Sequence, residues 1–244
     1  MPDATTPLQI WRRRLDPGGT FDSETCRALA DLLGDIRPFA AGEALLAEGR
    51  PAAAAILVLE GLAARIKDQP DGGRAIVALL LPGELSDGDL SAFRRLDHAL
   101  CALTPGRAAH IGWAALAHLE ARHPQAAAAL RRAAAQDDAL GREWLANLGA
   151  RTARTRVAHL FCELFVRLSA LGQTRGQAVA LPLTQQDLAD ITGLTAIHLN
   201  RVIQGLRRTG VLQFGRKTLR ILDWPRLCAI AEFQPDYLEL LQAV

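Results

Sequence analysis

No two of the four cysteines, Cys26, Cys101, Cys162 and Cys228, stand at a CxxC or comparable ligand spacing. That excludes a zinc site built on paired cysteines and favours reduced thiols. The sequence also lacks a long apolar run. No window reaches the roughly 18 apolar residues of a membrane span, and the opening "MPDATTPLQIWRRRL" has no apolar core of a signal peptide. A cytoplasmic protein with no membrane partner is expected. There is no internal repeat. There is also no His-x-His pair: His98, His110, His118 and His123 are dispersed, the last two in helical sequence, so a cupin-like metal-binding enzyme has no ligand set and no catalytic or metal residue is expected.

Net charge is only +2 over 244 residues, which by itself argues neither for nor against a polyanionic partner. Its distribution says more. Residues 1–150 hold 16 Lys/Arg against 19 Asp/Glu, whereas residues 151–244 hold 12 against 7. One part of the chain is thus suited to meet an anion.

Residues 21–33, "FDSETCRALADLL", carry apolar residues at helical spacing. From about 36 to 112 the texture is of short apolar runs, "AILVL", "AIVALLL" and "CAL", punctuated by Gly42, Gly49, Gly61, Gly72-Gly73 and Pro82-Gly83. This pattern predicts an antiparallel sandwich or roll, with "QPDGGR" (69–74) as a hairpin tip. After Trp113 the chain turns helical and alanine-rich, with Pro124 in a first helical turn. Leu130, Ala134, Leu140, Trp144 and Leu148 recur there at near-heptad spacing. The stripe fits either a helix packed on its own domain or the seam of a dimer. Its length and its place between two differently textured regions favour the seam. Gly172 ends the following helix.

Residues 183–214 read "LTQQDLADITGLTAIHLNRVIQGLRRTGVLQF". Thr184 is a good N-cap, Gly193 supplies the left-handed residue that ends a first helix, and Thr195 can cap a second. Leu199, Val202, Ile203 and Leu206 form the buried stripe of that second helix. Its other face carries Ala196, Ile197, His198, Asn200, Arg201 and Gln204. A helix entering the major groove needs side chains with paired donors and acceptors near its N-terminal half: Asn200 suits adenine and Arg201 guanine. Thr184, Thr195, Gln204, Arg208, Arg216 and Lys217 are expected on the DNA backbone, with Arg207 and Arg220 also available. The same residues fit an ordinary helical hairpin with a solvated face. The next segment, "VLQFGRKTLRIL", alternates around Gly215-Arg216-Lys217 as a basic β-hairpin, and that order of elements favours a winged helix-turn-helix.

This segment, together with "ILDWPRL" and "AEFQPDYL", resembles the DNA-binding domain of the CRP/FNR superfamily of bacterial transcription regulators. It is especially similar to alphaproteobacterial members whose recognition helix reads GLT-xx-H-x-NR. Upstream, "EGRPAAAAILVLEGLAARIKDQPDGGRAIVALLLPGELSD" resembles that superfamily's β-roll. The resemblance implies an α+β chain: an N-terminal helical segment (1–35), an antiparallel, cyclic-nucleotide-binding-like jelly roll (36–120), a dimerisation helix (121–150) and a winged helix-turn-helix (151–244). It implies a homodimer on a palindromic operator, with RNA polymerase as a further partner. Ala196, Ile197, Asn200 and Arg201 fall on the base-contacting positions. Many members carry Arg and Glu at the first two, so the operator need not match the best-known consensus.

For the roll, the resemblance supplies a test. Nucleotide-binding members follow a Gly-Glu turn with an Arg-Ser or Arg-Thr pair. Gly83-Glu84 is present, but the later segment reads "FRRLDHALCALTP", where Asp97 would repel a cyclic phosphate. Arg94 and Arg95 are displaced substitutes. An iron–sulfur cluster needs clustered cysteines near the N-terminus, and only Cys26 is there. No cofactor is expected. A haem- or ligand-sensing member remains the alternative, with His98 and Cys101 in one segment.

Overall fold

The computed structural model describes residues 6–70, 72–86 and 95–238. Two compact units divide the chain: Met1–Gly73 with Ala78–Asp137, and Arg74–Val77 with Asp138–Val244. Arg94 lies outside the described residues.

The first unit opens with α1 (Pro7–Leu15) and α2 (Ser23–Asp31). The helix α1 carries Leu8, Trp11 and Leu15 at helical spacing, and its ends are well written. Thr6 and Gln9 make a reciprocal capping box and Pro7 takes the first position. The strands are β1 (Ile36–Phe39), β2 (Ala44–Leu46), β3 (Ala55–Glu60), β4 (Ala63–Asp68), β5 (Arg74–Leu80), β6 (Ala99–Ala102) and β7 (Gly106–Ile111). They form two antiparallel sheets, in the orders β1-β7-β3 and β2-β6-β4-β5. The β4–β5 turn closes through Gln69 N–H to the Gly73 carbonyl at 2.8 Å.

The apolar run of β3 has a physical reason. Ala55, Leu57 and Leu59 pack with Trp11, Leu15, Leu29, Leu116 and Leu130. Ile56 and Val58, pointing the other way, pack with Phe39, Leu80 and Leu100. A strand buried on both faces reads as a continuous hydrophobic run instead of alternating. The helices α3 (Trp113–Arg122) and α4 (Pro124–Ala150) follow. The boundary between the units falls inside α4, between Asp137 and Asp138.

In the second unit α5 (Ala153–Ala170) is the central element, buried at nearly every position from Val157 to Leu164. The hairpin β8 (Thr174–Arg175) and β9 (Ala178–Ala180) precedes α6 (Gln185–Thr192) and α7 (Ala196–Arg208). The hairpin β10 (Leu212–Gly215) and β11 (Thr218–Ile221) completes a sheet of order β10-β11-β9-β8. Finally α8 (Trp224–Ala231) and a 3₁₀ turn, Pro235–Leu238, pack against α5.

Candidate nucleic-acid interface

The helix pair α6–α7 is fixed by local chemistry. Thr184 caps α6, accepting from Asp187 N–H at 3.0 Å while the Asp187 carboxylate accepts from Thr184 N–H at 2.8 Å. Gly193, at φ 61° and ψ 36°, ends the helix in the left-handed region. A Cβ there would also stand 3.3 Å from Leu148 Cδ2. Thr195 then caps α7 by accepting from His198 N–H at 3.2 Å. The buried side of α7 is Leu199, Ile203 and Leu206, with Val202 half-buried.

The outward side holds the residues expected to face DNA. Ile197, at 69% exposure, is among the most exposed large apolar side chains described, and His198, Arg201 and Gln204 are exposed beside it. Ala196 and Asn200 are half-exposed, the latter donating to Gln185 Oε1 at 3.4 Å. Between Leu194 and Leu222 the chain carries no carboxylate and six cations, Arg201, Arg207, Arg208, Arg216, Lys217 and Arg220, all exposed. A carboxylate-free cationic surface of this kind is the electrostatic footprint of a polyanion site. Thr184 and Thr195 sit at the two helix starts with their hydroxyls engaged as caps.

The basic β-hairpin expected around Gly215-Arg216-Lys217 is formed by β10 and β11. Gly215 is the last residue of β10, paired with Thr218, and the two turn residues are Arg216 (φ 50°) and Lys217 (φ 58°). Two-residue hairpin loops with both φ values positive favour Asn-Gly. Cationic residues held there bear a strain of about 1–2 kcal/mol each, and such strain persists where the side chains serve a function.

Two features of the unit escaped the sequence. Arg156 on α5 donates to the Thr192 carbonyl at the end of α6 (2.7 Å), and to Asn147 (3.2 Å) and Leu148 (2.8 Å) at the end of α4. One guanidinium thus satisfies orphan carbonyls of two helix C-termini and ties α4 to the helix pair. The second is a buried polar cluster. Glu163 accepts from Trp144 Nε1 (3.0 Å), Arg167 Nη1 (2.9 Å) and Tyr237 Oη (3.2 Å). Burial pushes its carboxyl above the usual range, against the opposing pull of Arg167, Trp144 and Tyr237. His159 lies beside it, near the Ala231 carbonyl (3.1 Å) and Tyr237 Oη (3.2 Å).

The stripe expected on α4 is divided by this packing. Leu130 joins the core of the first unit and Trp144 is committed to Glu163. Both therefore face their own chain. Ala134 is exposed, Leu140 half-exposed and Leu148 41% exposed. Leu145, not singled out in the sequence, is 73% exposed.

Comparison with known proteins fits this arrangement. Residues 155–230 match a Crp-like helix-turn-helix domain and residues 36–123 a cyclic nucleotide-binding domain. The transcriptional activatory protein AadR of Rhodopseudomonas palustris is 30% identical over 196 residues, covering 78% of each chain. The chain belongs to the CRP/FNR family of transcription regulators. Among other members, the nitrogen fixation regulation protein FixK of Bradyrhizobium diazoefficiens is 29% identical over 193 residues, 79% of this chain and 80% of its own. The solved structure of FixK2 from Bradyrhizobium japonicum superposes with a TM-score of 0.71 at 24% identity, covering 80% of this chain and 96% of that one.

As a CRP/FNR regulator, the chain has a DNA-binding helix-turn-helix in α6–α7, and β10–β11 is its wing. Its relatives are transcription regulators and not enzymes. No helix of the described residues is long and apolar enough to cross a membrane.

Proposed function

We propose that this CRP/FNR regulator acts as a homodimer that reads a two-fold-symmetric operator, one α7 in the major groove of each half-site. The observation that carries the reading is the carboxylate-free segment from Leu194 to Leu222, with its six exposed cations on α7 and the wing. Asn200 and Arg201 read adenine and guanine, His198 lies between them and Ala196 and Ile197, and the exposed Ile197 meets a thymine methyl where other members read cytosine. Arg201→Ala is expected to lose about 1–3 kcal/mol at the selected operator and little on random DNA. Fluorescence anisotropy on both DNAs checks it; equal losses would remove Arg201 from base readout.

The backbone is held by Thr184, Thr195, Gln204, Arg208 and the wing tip, Arg216 and Lys217. Replacing the tip with Asn-Gly separates its two roles. Stability is expected to rise by up to about 1–2 kcal/mol for each left-handed residue relieved. DNA affinity is expected to fall alike on all sequences, with a shallower dependence on salt. A salt slope equal to that of the unmodified protein would take the tip off the phosphates.

A second copy of the chain is the partner suited to α4. Ala134, Gly141, Leu145 and Leu148 are exposed along it at spacings of three, four and seven, and Leu145 and Leu148 have no reason to face water in a monomer. RNA polymerase is the further partner, and the bacterial cytoplasm the location, that this reading requires.

The roll works without a cyclic nucleotide in this reading. The Glu84 carboxylate is turned back onto its own turn, accepting from Leu81 N–H at 2.9 Å. Asp97 stands 2.9 Å from His98 Nδ1. The helix α1 lies over the Gly83 turn so closely that a Cβ on Gly83 would be 2.9 Å from the Ile10 carbonyl.

A further inference from the structure

Two of the cysteines that carry no metal spacing in sequence are brought together only on folding, and both lie in the DNA-binding unit. Cys162 is fully buried in the middle of α5, and Cys228 is half-buried on α8. These helices run antiparallel. At one end His159 Nδ1 lies 3.1 Å from the Ala231 carbonyl, and at the other the rings of Phe165 and Trp224 are 5.6 Å apart. Between those two fixed points, residues advancing along α5 meet residues receding along α8, and Cys162 falls opposite Cys228. Each thiol shifts the ionisation of the other, Cys162 upward and Cys228 downward.

We propose that Cys162 and Cys228 form a peroxide-responsive dithiol within the DNA-binding unit, closing to an intramolecular disulfide between α5 and α8. The two cysteines have distinct parts. Cys228 is the one that solvent reaches, and the neighbouring Cys162 thiol favours its thiolate, holding it below the usual thiol range. The neighbouring Cys228 and burial push Cys162 up, so it keeps its proton until it is used.

In the first step the Cys228 thiolate attacks one oxygen of hydrogen peroxide. An S–O bond forms, the O–O bond breaks, and the departing hydroxide takes a proton to leave as water. In the second step the Cys162 sulfur attacks the Cys228 sulfenic sulfur. The S–S bond forms, and the hydroxyl leaves with the Cys162 proton as a second water. The thiols give up two electrons between them and the peroxide accepts both. No other oxidant is required, and a thiol reductant reverses the change.

Cys26 and Cys101, half-buried in the other unit, serve as internal controls. The full-length reduced protein is treated with increasing hydrogen peroxide, alkylated, and mapped by mass spectrometry without reduction. The expected result is a loss of about 2 Da and a peptide joining Cys162 to Cys228, formed at peroxide levels that leave Cys26 and Cys101 alkylatable and lost on adding dithiothreitol. Cys228→Ser, at a half-exposed position, is expected to abolish the cross-link while Cys162 remains a thiol. Cys162→Ser is expected to stop Cys228 at a sulfenic acid that dimedone traps. The proposal is overturned if unmodified protein carries Cys228 on to a sulfinic acid beside an alkylatable Cys162. It is equally overturned if both thiols survive peroxide that modifies Cys26 or Cys101.

Discussion

Glu163→Ala is expected to destabilise the C-terminal unit by about 3–5 kcal/mol. Glu163 is fully buried, and its two oxygens accept from Trp144, Arg167 and Tyr237. Truncation leaves the Arg167 guanidinium, itself only 6% exposed, with its carboxylate partner gone in a low-dielectric interior. It also strands the Trp144 N–H, while Tyr237 keeps only His159 as a partner. Each lost partner adds a desolvation penalty of about 1–3 kcal/mol, so the sum lies well above the effect of an exposed ion pair. Trp144 sits on α4 and Glu163 on α5, so the cluster also fixes how the end of α4 meets the winged helix. Urea unfolding of the full chain followed by tryptophan fluorescence reads the change. A loss below about 1 kcal/mol would show that the cluster is solvated and not a buried pin.

Trp11→Ala is expected to destabilise the N-terminal unit by about 3–5 kcal/mol. Trp11 has no exposed surface and packs with Leu15, Leu57, Ile111, Leu116 and Leu130 in the main core cluster. Removing the indole leaves a void bounded by a sheet and by three helices, which cannot all collapse into it. The helix is anchored by polar contacts as well: Arg14 donates to Gln136 and, at 3.3 Å, to Asp137, and Arg132 donates to the Leu15 carbonyl at 2.6 Å. These contacts hold α1 in place but do not refill the void. Differential scanning calorimetry of the variant checks this; an unshifted transition would make α1 peripheral to the roll.

The pair α6–α7 was legible because each signal is local: the Thr184 and Thr195 caps, the left-handed Gly193 and a three-four apolar stripe all act within a few residues. The strands of the roll were legible for the same reason, as apolar runs between glycine turns. The helix α1 was expected only as part of an N-terminal helical segment: "PLQIWRRRL" sets Leu8, Trp11 and Leu15 beside three adjacent arginines, and the tertiary partners of Trp11 and Leu15 reveal it as core.

The face of α4 was misphased for a related reason. In an alanine-rich helix both sides look apolar, so the pattern cannot say whether Leu130 and Trp144 or Leu145 point outward. The buried donor and acceptor partners decide it: Trp144 turns inward to Glu163, and Leu145 is left in solvent. At the wing tip Arg216 and Lys217, not Gly215, take the positive φ values. Local preference was overridden there, at a place where strain and charge coincide. Arg156 was also silent, because an arginine that caps two helix ends is indistinguishable in sequence from its neighbours in "ARTARTR".

The most direct test of the central claim is selection of binding sites from random-sequence DNA by the purified full-length protein. The expected product is one enriched site of two inverted half-sites, centred about one helical turn apart, roughly 34–36 Å, with enrichment abolished by Arg201→Ala. Recovery of unenriched sequence, or of a single half-site lacking two-fold symmetry, would contradict a dimer that reads DNA through α7.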